Sequence, residues 1–380
     1  MSIVVFEDVD SKFDAVLQAL EERGVHQRDV KRVQTTAEFA ALGKSDVSLC
    51  IIDIVMPTVK GGQARNVGLE ILEMLDHSGR AKIPVLAITA YADEFESLRD
   101  TFSARGCIIY DFEAKSLWAK ALDIYLAQIN EKDRYKFIIF TALAMERSAF
   151  LSLPNFNPTS LIRFGIDHWD VEIAGAFGTI VLLPRMGLVT AAATVSRVLE
   201  KYDPKIVAMS GICAGVGEAP LGQLLAADIC WEYQSGKWYD EAFEAEPYQV
   251  NMKPRTRIHI AKMLENPTLL SELEAGYGGE FRPQRRVPPK LAVFTSGSAV
   301  IASEKRLANV KAQHRKVSGL DMEMFGFYSA VDLSGSGAQF VGAKVVVDKA
   351  DSHKDDKLHE YGSFLSAKFI TMAVMELLAS

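Results

Sequence analysis

Cysteine is scarce in this chain of 380 residues, and its four copies, Cys50, Cys107, Cys213 and Cys230, form no CxxC pair. Each sits in or beside an apolar run, which argues against a disulfide framework and matches a reducing compartment. Positive charge is also in deficit. A net charge of −7 excludes binding to nucleic acid by bulk attraction to phosphate, so any polyanion must be met by a local basic cluster. No apolar run approaches membrane length, and the N-terminus opens on a strand-like stretch, residues 2–6, where a leader would place a basic region and an apolar core. The expectation is a cytoplasmic protein with no direct contact to nucleic acid or membrane.

What is present is ordinary globular material, 49% hydrophobic and 24% charged, in a length that favours two domains. Over residues 1–130, short apolar runs alternate with amphipathic stretches, the pattern of an α/β doubly wound parallel sheet. Three expected strand ends carry polar residues: Glu7 and Asp8, then Asp53, then Thr89. Carboxylates meeting at the carboxyl edge of such a sheet offer hard oxygens to a divalent cation, and one of them can accept a phosphoryl group. Alternatively, Asp53 simply turns the chain. Residues 5–8, 51–57 and 85–90 together resemble the response-regulator receiver family, which has a flavodoxin-like fold. That resemblance implies Mg²⁺ held by Glu7, Asp8 and Asp53, phosphorylation of Asp53 by an upstream sensor histidine kinase, and Thr89 on the phosphoryl group. Receivers carry a lysine just after the fifth strand; here Lys115 comes slightly late and is the nearest substitute.

A charged segment, residues 131–135, reads as a short linker. In residues 136–380 the same alternation continues, and polar residues again gather where strands end. Glu146 starts a helix after the strand 137–140, Glu323 starts another after an apolar approach, and Asp348 follows the strand-like run 344–347, β-branched after Lys344. Each has a plain reading as a cap or turn residue. Each also stands where open α/β sheets place ligands. Small residues at 210–214 (Ser210, Gly211, Ile212, Cys213, Ala214) and at Ser298 and Ala299 permit close backbone approach to a flat ligand. The glycine turn beside Arg185 and the basic residues between 253 and 290 offer charge for an anion, or are solvated surface.

Taken in order, these segments resemble the nucleoside phosphorylase and methylthioadenosine/adenosylhomocysteine nucleosidase superfamily, across nearly all of residues 136–380. The resemblance implies that Glu146 activates water, Glu323 grips the ribose hydroxyls with Met322 packed nearby, and Asp348 protonates a departing purine. It also implies at least a dimer. A receiver fused to such a nucleosidase resembles the phosphorylase-fused response regulators of the Detocs antiphage systems, which implies an effector that splits ATP, and related adenine nucleotides, into adenine and ribose 5′-triphosphate. Arg185, His353 and Lys354 would then meet the triphosphate. Two other readings stand beside this one: a nucleosidase or phosphorylase for uncharged purine nucleosides, and a nucleotide-binding signalling module without catalysis.

Overall fold

The computed structural model describes the chain except for residues 1, 42–46, 82, 92–94, 133, 241, 247, 302 and 351–355. It divides into two compact units, Met1–Asp133 and Arg134–Ser380.

The first unit alternates strand and helix: β1 (Ile3–Phe6), α1 (Asp10–Glu21), β2 (Val30–Val33), α2 (Thr36–Ala41), β3 (Leu49–Ile52), α3 (Gly68–His77), β4 (Val85–Thr89), α4 (Glu96–Ala104), β5 (Ile109–Asp111) and α5 (Lys115–Lys132). Its five-stranded sheet is parallel throughout, in the order β2-β1-β3-β4-β5. Alternate residues feed two separate cores. Val4, Phe6, Cys50 and Ile52 pack with Ile71, Leu75 and Phe102, whereas Ile3, Val5, Leu49 and Ile51 pack with Leu20, Trp118 and Leu122. Burial on both faces is why these strands read as continuous apolar runs. Helix α5 runs on to Lys132, so the first two residues of the linker expected at 131–135 belong to a helix.

The second unit contains β6 (Phe137–Thr141), α6 (Ala144–Ser148), β7 (Thr159–Arg163), β8 (Ile166–Ile173), β9 (Ala176–Leu182), α7 (Leu188–Lys201), β10 (Ile206–Gly215), β11 (Leu224–Glu232), β12 (Val250–Asn251), α8 (Pro254–Leu264), α9 (Leu269–Glu274), β13 (Lys290–Ser296), α10 (Glu304–Gln313), β14 (Val317–Asp321), α11 (Met324–Leu333), β15 (Gln339–Asp348) and α12 (His359–Ala379). Its ten-stranded sheet runs β12-β11-β13-β14-β10-β6-β9-β8-β7, and β15 pairs with both β10 and β11. The strands β10, β14, β13, β11 and β15 therefore close into a ring. Helix α12 packs against β10 and β15.

Helix α12 corrects one expectation. It has 21 residues and an 18-residue window of mean hydropathy 1.4, long and apolar enough to cross a bilayer by length and composition. Tyr361, Ser363, Ser366 and Lys368 interrupt its apolar run in the sequence. In the fold its residues Phe364, Leu365, Phe369, Ile370 and Val374 are core.

Candidate active site

Three carboxylates far apart in the chain, Glu146, Glu323 and Asp348, line one cavity of about 260 Å³ in the second unit. Each arrives by a different local device. Glu146 lies in the first turn of α6, where Oε2 accepts from the backbone N–H groups of Ala142 (2.8 Å) and Leu143 (2.9 Å). Its Oε1 accepts from Ile212 N–H at 2.9 Å, which ties α6 to β10. A carboxylate oxygen has room for about two donors, so Oε1 keeps one open acceptor position. Gly211 makes this possible: a Cβ there would collide with the Glu146 carboxylate. Burial raises the Glu146 pKa to about 7, with Lys344 pulling it down and Glu323 pushing it up.

Glu323 caps α11 and is almost fully buried. Its Oε1 accepts from Gly187 N–H at 3.1 Å, and its Oε2 lies 2.7 Å from Lys344 Nζ. Gly187 has φ of 121°, a conformation that side chains rarely adopt, and so its amide can turn toward Glu323. Lys344 also lies 2.7 Å from Asp321 Oδ2. Asp321 in turn accepts from Ser296 Oγ at 2.6 Å and from Met324 N–H. Burial raises the Asp321 pKa, and the surrounding carboxylates hold the Lys344 ammonium charged against burial, well above the ordinary lysine value.

Asp348 ends β15, half-buried, with Oδ1 accepting from Ala350 N–H at 2.8 Å. Just before it the pairing with β10 shifts, Cys213 facing Val346 but Ala214 facing Asp348, so β15 carries one extra residue. Such bulges bend a strand and re-aim its side chains.

The backbone segment Ile212, Cys213 and Ala214 lines the cavity, as do Ala299 and Met322. Gly211 stands directly behind Glu146. Other expected ligand contacts fall elsewhere. Ser210 is buried behind the strand, its hydroxyl 2.9 Å from that of Ser366, because the pleat turns it away from the cavity toward α12. Ser298 is exposed and its amide donates to Gln234 Oε1 at 2.7 Å. Arg185 is exposed and does not line the cavity, whereas its neighbour Met186 does. His353 and Lys354 lie outside the described residues.

In the first unit, Glu7 and Asp53 are buried at the carboxyl edge of the sheet, and Thr89 ends β4. Burial first, then Asp53, raises the Glu7 pKa to about 7. The cation beside Asp53 is Lys12 of α1, 2.6 Å from Oδ2, and not Lys115, which is exposed at the start of α5. Lys12 comes from the opposite end of this unit's sequence from the position after the fifth strand. Among the described residues, no group of three or more His, Cys, Asp and Glu side chains converges closely enough to hold a metal ion. A wider depression of about 560 Å³ in the same unit is lined by Leu69, Leu72 and the ion pair of Arg105 with Asp76.

Sequence reasoning missed Lys344, Asp321 and His359, all now at or beside the cavity. In the sequence Lys344 is the first residue of an otherwise apolar strand-like run. The available signal was the lysine itself, a charge inside a run otherwise entirely buried, which demands carboxylate partners.

No protein-family model matches the chain. Among curated proteins, the uncharacterized protein y4jS of Sinorhizobium fredii (strain NBRC 101917 / NGR234) is 27% identical along the whole of both chains. The ATP nucleosidase Cap17 of Escherichia coli (strain KTE188) is 25% identical over 249 residues, 60% of this chain and 49% of that protein, so the chain matches about half of its length. Among solved structures, the S-adenosylhomocysteine nucleosidase of Streptococcus pyogenes has a TM-score of 0.52 at 15% identity, covering 64% of this chain and 97% of its own. The methylthioadenosine/adenosylhomocysteine nucleosidase of Neisseria meningitidis has a TM-score of 0.51 at 15% identity, covering 63% and 99%. These likenesses establish a mixed α/β, nucleoside phosphorylase-like fold over about the share of the chain that the second unit makes up.

Proposed function

We propose that the second unit is an N-glycosyl hydrolase that releases adenine from adenine nucleosides and nucleotides, ATP among them. One observation carries this reading: Glu146, Glu323 and Asp348 share a single cavity. Breaking the bond between ribose and base sends its electrons to the purine and builds positive charge on the sugar. Asp348 donates a proton to the leaving base. Glu146 takes a proton from the attacking water as the new C–O bond forms, and its carboxyl pKa of about 7 suits that task near neutrality. Glu323, held from both sides by Gly187 and Lys344, accepts from the ribose hydroxyls. An anionic Glu146 would repel phosphate, which favours hydrolysis over phosphorolysis. Incubation with ATP, adenosine and methylthioadenosine, with and without phosphate, tests the reading. Free adenine from ATP without phosphate is expected, and no adenine from any of the three defeats it.

The first unit, in this proposal, is a receiver that controls the enzyme. The motifs around Glu7, Asp53 and Thr89 and the strand order 2-1-3-4-5 support it. Asp53 would accept a phosphoryl group from an upstream sensor histidine kinase. Lys12 would neutralise the far side of the group. The Mg²⁺ expected on Glu7, Asp8 and Asp53 is left out of this proposal, because these carboxylates do not converge closely enough to hold it. Destruction of ATP on such a signal suits antiphage defence, as the fused architecture implies.

A further inference from the structure

The cavity presents a difficulty for any nucleotide. Four carboxylates line it, Glu146, Asp321, Glu323 and Asp348, and a polyphosphate is repelled by each of them. Among the described residues one basic side chain lines the same cavity, His359. We infer that His359 receives the phosphate end of the substrate and sets the preference of the site for phosphorylated over uncharged adenine nucleosides; this rests on the hydrolase reading above.

The geometry is suited to an exchange of anions. His359 Nε2 stands 3.3 Å from Asp356 Oδ1, close enough for an ion pair but not aligned as a hydrogen bond. The Asp356 side chain is 81% exposed, so little holds it in place. A carboxylate on the surface thus marks a position that a phosphate oxygen can take. His359 is also the first residue of α12, a helix of 21 residues whose N-cap, Leu358, provides no side-chain hydrogen bond. The positive end of the helix dipole and its first amides therefore lie beside the imidazole, and both favour a negative group there. The carboxylates of the cavity are left to the sugar and the base, which bear no negative charge.

Titration calorimetry on full-length Asp348→Asn protein, which retains substrate uncleaved, compares the Kd of ATP with that of adenosine. ATP is expected to bind more tightly. Adding His359→Phe should reduce that preference about tenfold or more, the effect of losing one charge-assisted hydrogen bond. His359→Lys should keep most of the preference, and Asp356→Asn should strengthen it. Equal affinity for the two ligands in the parent protein, or an unchanged preference in His359→Phe, overturns the inference, as does equal loss in the Phe and Lys variants. The outcome is independent of turnover: a protein that binds ATP through His359 but releases no adenine sinks the hydrolase reading alone.

Discussion

Lys344 Nζ lies 2.7 Å from Glu323 Oε2, and both side chains are almost wholly withdrawn from solvent. The same ammonium serves Asp321 at 2.7 Å, so one cation holds two carboxylates, and it lowers the pKa of the third, Glu146. Removing one member of a buried ion pair leaves its partner charged in a poor solvent, a loss of about 3–5 kcal/mol. Lys344→Met is expected to lose stability on that scale in denaturant unfolding. It should also release less adenine than the reduced folded fraction explains, because Glu323 loses its anchor. An unchanged unfolding midpoint would refute the bridging role.

Asp348 offers the opposite case. Its Oδ1 accepts from Ala350 N–H, and an asparagine oxygen can do the same. Asp348→Asn should therefore keep its melting temperature within a few degrees of the parent while adenine release falls by roughly 10²–10⁴, the usual worth of a general acid. Retention of full activity would remove Asp348 from the chemistry.

The pH profile should report Glu146. A base works only when ionised, and with a pKa of about 7 its ionised fraction climbs as pH rises from 6 to 8. Adenine release at saturating substrate should rise over that window and level off above it. In Glu146→Gln the residual rate should lack this limb. A profile for the parent that is flat from pH 6 to 8 would place the base elsewhere.

Gly211 can be tested without touching any functional group. A methyl there would displace the Glu146 carboxylate, and misplacing a catalytic group by an ångström costs about 10²-fold. Gly211→Ala should lose activity to that extent, with far-ultraviolet circular dichroism unchanged. Normal turnover in a folded Gly211→Ala protein would show that the carboxylate has room to spare.

Acid stability should depend on His168. It is fully buried, its ring stacked near Tyr135 and edge-on to Tyr202, and burial together with Arg163 lowers its pKa to about 4. The unfolded chain therefore binds a proton on this group below about pH 6.5 that the folded chain refuses until about pH 4. Stability from neutral His168 is complete above pH 6.5 and is lost progressively toward pH 4, by roughly 3 kcal/mol. A His168→Phe variant should show a shallower decline over that range in urea titrations; an identical slope would contradict it.

Much of the site was legible because its acids obey local rules. Glu146 and Glu323 begin helices and Asp348 ends a strand, positions that short-range pattern reveals. Lys344, by contrast, has no local mark of its role. Its partners Asp321 and Glu323 lie more than twenty residues away in sequence, and only the closing of the strands brings them within reach. The same reason hid Lys12, which reaches Asp53 across 41 positions, while Lys115 attracted notice by position alone. Ser210 misled because a small residue in a glycine-rich stretch looks like a ligand contact, and one step along the pleat decides whether it faces the cavity or α12.

The closed circuit of β10, β14, β13, β11 and β15 has a dynamic consequence. Residues from three of these strands, Cys213, Asp321 and Asp348, border the reacting space, and no member of a closed circuit can slide or peel away without breaking pairings on both of its sides. Fluctuations that would part Asp321 from Asp348 thus require several of these pairings to break together. Amide hydrogens along β15 should exchange with deuterium among the slowest in the second unit, long after those of the peripheral strand β7.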